Sequence, residues 1–156
     1  MERIASDRRR AFFLRVIEPD EAPEPPFGGE PYAALVWAAR RTSDAQKQRT
    51  AQALIASGCR YVVCGGVESD AWEDAADGAY LEQDLPEPVP HALFVTTTSH
   101  RGEPEDEVVF FLINNTSAGG HGFSRYLVLL IGADDGVRER LTAAVRAQVA
   151  GLHPPA

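Results

Sequence analysis

The stretch ALFVTTTSHRGEPEDEVVFFLINNT, residues 92–116, decides the fold. It reads as an apolar strand over 92–98, a polar tip at Thr96-Thr97-Thr98-Ser99-His100, and a second element that opens acidic and turns apolar. Strands of this type sit in mid-sheet in α/β folds, and such folds hold ligands at their C-terminal tips. The second element separates two architectures. Pro104 at a first helical position, followed by Glu105, Asp106 and Glu107, is a helix start. The run VVFFLI, 108–113, is bulky and rich in β-branched side chains, so it also suits a buried strand. We read 104–116 as a helix, which makes the pair a strand–helix unit and not a hairpin.

On either side the same alternation continues. YAALVWAA (32–39), YVVC (61–64) and YLVLLI (126–131) are apolar runs of strand length. Ser43 is an N-cap for a helix running to Ser57, with Asp44 at its positive end and Gly58 as its left-handed terminator. Ser69 is placed to cap the next helix. There Trp72, Ala75, Ala76, Ala79 and Tyr80 fall on one face and Asp70, Asp74 and Asp77 on the other. Asp134 or Asp135 caps a last helix striped by Val137, Leu141, Ala144, Val145 and Val149. This alternation predicts an α/β fold: a single three-layer domain with a mostly parallel sheet, Rossmann- or flavodoxin-like. The parallel strands are expected at 33–39, 61–64, 92–98 and 126–131, in spatial order 2-1-3-4 counted from Tyr32.

Outside those units, residues 1–10 carry four arginines and few apolar side chains, and read as a solvated basic tail. FFLRVI (12–17) is a short N-terminal edge strand. The prolines and glycines of 19–31 make a surface connection, since Pro fits neither a helix interior nor a central strand. The domain is expected over 11–152, with 153–156 as a tail.

Composition narrows the function classes. The formal net charge of −8 argues against a nucleic-acid-binding face. Between Glu68 and Glu107 there are twelve acids and one cation, Arg101, so much of that charge is local. Lys47 is the only lysine among fifteen cationic residues. No run reaches the roughly 18–20 apolar residues of a membrane span, which points to a cytoplasmic protein. Cys59 and Cys64 bracket one strand at about 16 Å, too far apart to bridge, and thiols in a reducing compartment fit.

Trp72-Glu73-Asp74 with Asp77, followed by Thr97-Thr98-Ser99-His100 and the acidic helix from Glu105, resembles an uncharacterised bacterial α/β domain family. The likeness covers about 60–116 and departs at Ser99, where the pattern has an aromatic residue. It implies the fold and favours the helix at 104–116; it brings no activity.

Four constellations bear on chemistry. Asp70, Asp74 and Asp77 could offer oxygens to a hard cation, but helical spacing turns them toward water, and a solvated acidic face is the better reading; no metal or cofactor is expected. Cys64 and His100 each end a strand and, if those tips lie near each other, could form a thiolate–imidazole pair, with Asp70 as another partner for His100. Against this, a Cys in an apolar strand is far more often a small core residue. Gly119–Gly122 precedes a strand and so cannot be a phosphate loop, while Gly65-Gly66 is a tight turn. Finally, the order 2-1-3-4 would set Arg40, Arg41 and Ser43 beside Thr96, Thr98, Ser99 and His100, an anion-binding crevice. The expected function is a non-catalytic interaction module, monomeric or homodimeric, that takes a protein partner or a small anion. The alternative is a small hydrolase or transferase using Cys64 and His100, or an Asp–His pair.

Overall fold

A computed structural model of the chain describes residues 1–118, 121–132 and 134–151. Eight strands and four helices follow in order: β1 (Glu2–Ser6), β2 (Ala11–Ile17), β3 (Tyr32–Ala38), α1 (Asp44–Ala56), β4 (Cys59–Gly66), α2 (Ser69–Leu81), β5 (Thr96–Ser99), α3 (Glu105–Asn114), β6 (Ser117–Ala118), β7 (His121–Gly122), β8 (Arg125–Ile131) and α4 (Asp135–Gly151). The main sheet has the order β1-β2-β8-β3-β4-β5, and β6 pairs with β7 in a small ladder. All neighbours in the main sheet are parallel except β1 and β2. This is the expected α/β architecture with Rossmann-like alternation.

The core follows from strand alternation. Central strands β3 and β8 are buried along almost their whole length, as apolar runs covered on both faces must be. Ala34, Val36, Leu127 and Leu129 point to one face and meet Ala51, Leu54 and Ile55 of α1 and Trp72, Ala76 and Ala79 of α2. Leu35, Trp37, Val128 and Leu130 point to the other and meet Val108, Val109, Leu112 and Ile113 of α3 and the Val137, Leu141, Val145 and Val149 stripe of α4. The ambiguous VVFFLI run is therefore helical, burying a face at i, i+1, i+4 and i+5 while Phe110 stands half exposed. Trp72 is buried and Asp70, Asp74 and Asp77 are exposed, as the helical spacing requires.

Several local expectations are corrected. Glu2–Ser6 is not a tail: it pairs antiparallel with β2, buries Ile4 against the α3/α4 layer, and receives a hydrogen bond from Arg146 Nε to the Ile4 carbonyl. Asp7 closes the intervening turn, accepting from the backbone N–H groups of Arg9 and Arg10. β2 is accordingly an inner strand, and β1 is the edge. The strand expected at 92–98 shrinks to Thr96–Ser99, because the chain leaving Pro88 and Pro90 takes a 3-10 turn over His91–Leu93. It is also the other edge of the sheet, not a middle strand. Counted from Tyr32 the order is 4-1-2-3, so β8 returns across β4 and β3 to lie between β3 and β2.

The connection at 18–31 is surface chain with a buried anchor. Pro23 is buried, and Phe27 packs against Phe13 and edge-on to Tyr32, with centroids 5.3 and 5.1 Å away. Ser69 does not cap α2; Glu68 occupies that position without a side-chain cap bond. Asp134 caps α4, accepting from Val137 N–H at 3.0 Å. The expected tail at 153–156 and the Gly119-Gly120 part of the rejected phosphate loop lie outside the described residues. Among the described residues no helix is long and apolar enough to cross a membrane.

Candidate functional site

In a doubly wound sheet, ligands gather where neighbouring strands send their chains to opposite faces, beyond the strand C-termini. Here that place lies between β3, followed by α1, and β8, followed by α4. It is filled. Gly132, at φ +87°, leaves room for the stem of Arg40, whose Cγ lies 3.2 Å from where a Cβ would stand. One strand further along, Gly65 and Gly66 let β4 close on β3: a Cβ on Gly65 would strike the Trp37 ring, and one on Gly66 the Ala38 carbonyl. That pair serves strand packing, not phosphate.

The order 4-1-2-3 also separates the two halves of the anticipated anion crevice. Arg40, Arg41 and Ser43 follow β3, whereas Thr96, Thr98, Ser99 and His100 belong to β5, with β4 between them at two strand spacings, about 10 Å. Ser43 uses its hydroxyl as the α1 cap, accepting from Gln46 N–H at 3.1 Å. The β5 hydroxyls are also engaged, with groups of the wrong sign for an anion. Thr97 Oγ1 donates to Asp77 at 2.6 Å, and Ser99 Oγ donates to Asp70 and meets Ser69 Oγ. Thr96 lies exposed at the opposite, N-terminal end of the strand.

Alternation disposes of the Cys64–His100 pair in the same way. Cys64 is registered with Ser99, so both side chains face the α1/α2 layer, while His100, one residue on, faces the other. Cys64 lies in the α1/α2 core and His100 packs against Phe111 of α3, ring centroids 4.5 Å apart. Burial pushes the Cys64 thiol well above its usual range, and the carboxylates of Glu73 and Asp77 push the same way. Burial likewise raises the Cys59 thiol to about 12, and both cysteines are free. Neither is an activated nucleophile. Asp70 shares the Ser99 side of the sheet, so the Asp70–His100 pair is not assembled either.

What the fold brings together is different. His100 is buried, and its Nδ1 lies 2.6 Å from Glu103 Oε2 while Nε2 lies 2.9 Å from Thr98 Oγ1. His100 thus joins the Thr98 hydroxyl and the Glu103 carboxylate, one at each ring nitrogen. Beside this relay lies a cleft of about 390 Å³ lined by Glu103, Asp106, Glu107, Phe110, Phe111 and Gln148. Three carboxylates and two phenyl rings share this concavity, a lining whose chemistry suits a cation with an apolar stem. The sequence signal for Glu103 was its spacing from His100, three residues across a turn. Phe110 was legible as the residue that falls opposite Val108, Val109 and Leu112 on a helix.

On the other face of β5, Asp70, Glu73 and Asp77 form a row along α2. Burial raises the Glu73 carboxyl above its ordinary value, and Asp77, Asp74 and Asp70 add repulsion. A group whose folded pKa is raised contributes stability below its unfolded value and loses it as pH rises. Glu73→Gln is therefore expected to raise the melting temperature at pH 7 and to leave it unchanged below about pH 4.5. Calorimetry at both pH values checks this; an unchanged midpoint at pH 7 would show the row to be fully screened. Among the described residues no three His, Cys, Asp or Glu side chains converge as metal ligands would.

A third cluster was missed altogether. Lys47, 3% exposed, donates to the Thr42 carbonyl at 2.8 Å and pairs with Glu68 at 3.0 Å. Glu68 also accepts from Thr42 N–H and sits at φ +59°. Its signal was the singularity of Lys47 in a chain that otherwise uses arginine.

A family model described as a domain of unknown function (DUF7684) matches residues 12–148. No curated protein and no solved structure matches the chain.

Proposed function

The chain belongs to the DUF7684 family, and because that family has no known function we propose from its own residues that it is a non-catalytic interaction module. It grips cationic groups of a protein partner at the cleft beside His100. The observation that carries this reading is the lining of the cleft: Glu103, Asp106 and Glu107 around Phe110, which is 50% exposed. Cys64, the nucleophile anticipated from sequence, is enclosed in the α1/α2 core, and the open surface near His100 is acidic and aromatic. We place the protein in the cytoplasm, where Cys59 and Cys64 stay as thiols.

The test is fluorescence anisotropy with labelled hexalysine and hexaglutamate peptides at low and physiological salt. Hexalysine is expected to bind with an affinity that falls with salt, and Asp106→Asn/Glu107→Gln with Phe110→Ala should weaken it at least tenfold. Glu18→Gln/Glu21→Gln, which changes net charge equally on another part of the surface, should weaken it about twofold or less. Equal losses from both sets would reduce the effect to net charge and sink the site. Tighter binding of hexaglutamate or phosphate, abolished by Arg40→Ala, would return the site to Arg40 and Arg41.

A second reading rests on the relay. Hydroxyl, imidazole and carboxylate stand at 2.9 and 2.6 Å in the order used by triad hydrolases. In a small hydrolase or transferase Thr98 would attack, His100 would take its proton, and Glu103 would hold the ring. Turnover of an activated ester that disappears in Thr98→Val would establish that reading over the first.

A further inference from the structure

Resting on the reading above, that the partner is cationic, we propose that it docks as an extended strand added to the open edge of β5. The two edges of the main sheet differ. At β1 the ladder is broken by a bulge between Arg3 and Ala5, and the strand carries Glu2 and Arg3. Bulges and charges are how sheets discourage further pairing. At β5 the strand is Thr-Thr-Thr-Ser, uncharged, β-branched and paired with β4 in unbroken register.

The backbone phase follows from one bond. His100 N–H donates to the Cys64 carbonyl at 2.9 Å, so by alternation the backbone groups of Thr96 and Thr98 face β4 while those of Thr97 and Ser99 face outward. Two outward N–H groups and two outward carbonyls are a template for one more strand. What flanks this edge selects its occupant. On the α2 side stand Asp70, bonded to Ser99 and 3.6 Å from the exposed Arg101 guanidinium, and Asp77, bonded to Thr97, with Glu73 between them, three carboxylates against one cation. On the α3 side stand Glu103, bonded to His100, and Glu107, one turn before the Phe111 ring that packs on His100. Successive side chains of an added strand point to opposite faces, so both sets would meet carboxylates. A second copy, with net charge −8, is repelled there; a basic segment is attracted.

The phase makes the idea testable on the full chain. The probe is the capped heptapeptide Lys-Lys-Thr-Val-Thr-Lys-Lys, with two versions N-methylated at alternate amides, one in each phase. An added strand pairs through one edge and can turn either edge to β5, so each version is expected to bind within about twofold of the parent, and a third version methylated at every amide at least tenfold more weakly. Undiminished binding of the fully methylated version, or failure of both half-methylated ones, overturns strand addition. If the fully methylated version binds as well as the parent, the cationic cleft stands without it; if the parent itself does not bind, both readings fall. Thr97→Pro removes an outward N–H without touching the β4 ladder, which an edge strand tolerates. It is expected to weaken the parent peptide at least tenfold with its melting temperature near that of Thr97→Val, the control for the lost bond to Asp77. Undiminished binding by Thr97→Pro also overturns the proposal.

Discussion

Replacing Trp72 by alanine is expected to destabilise the protein by about 3–5 kcal/mol, as truncation of a buried aromatic side chain does. Trp72 is 2% exposed and sits in the core layer where α2 meets the sheet, beside Ala76 and Ala79 of its own helix. Small residues around a large one leave little that can collapse into the void, which places the cost toward the upper end. The indole Nε1–H has no hydrogen-bond partner among the described residues, and a buried orphan donor carries a penalty of about 1–3 kcal/mol. Trp72→Phe removes that donor together with part of the volume, so the two effects oppose, and a loss of about 1–2 kcal/mol is expected. Urea titrations with a common m-value measure both. A loss below about 1 kcal/mol for Trp72→Ala would mean that α2 turns another face to the sheet.

The success of the Trp72 reading and the failure of the Cys64–His100 reading have the same physical origin. A helix face is a local property: spacing of 3.6 residues set Trp72 inward and Asp70, Asp74 and Asp77 outward before any tertiary contact was known. The runs that became β3, β4 and β8 were legible for a related reason, since a strand buried on both faces must be apolar throughout. β1 was not, because ERIAS has only Ile4 and Ala5 to bury and becomes a strand by pairing with β2. The position of β8 between β2 and β3 is equally non-local, and no residue of YLVLLI announces it. That insertion moved β5 to the edge and put β4 between Arg40 and His100. The pairing of Cys64 with Ser99 placed the thiol and the imidazole on opposite faces. The site that formed is short in sequence, with Thr98, His100 and Glu103 within one strand end and turn, and its spacing was on view.

Glu68→Gln is expected to cost about 3–5 kcal/mol at pH 7, since it leaves the buried Lys47 ammonium without its counter-charge. Lys47 is 3% exposed and has Glu68 and the Thr42 carbonyl as its partners, so a neutral amide cannot replace what the carboxylate supplies. The hydrogen bond from Lys47 holds the Glu68 carboxyl below its ordinary value of 4.5, with the Thr42 N–H and the charges of Lys47 and Arg41 helping against partial burial. A lowered carboxyl contributes stability above its unfolded pKa and loses it as pH falls through the folded one. The difference between wild type and Glu68→Gln should therefore be full at pH 7 and shrink below about pH 4.5. Lys47→Met/Glu68→Gln removes both charges and keeps the volume, and exchanges of this kind for buried pairs are often neutral within about 1–2 kcal/mol. A double-mutant cycle in denaturant at pH 7 and pH 4 separates the contributions. If Glu68→Gln alone costs less than about 1 kcal/mol, water reaches the ammonium and the pair is a surface contact. If the double variant is as unstable as the single one, the hold of Lys47 on the Thr42 carbonyl, and not its charge, keeps the turn between β3 and α1 in place.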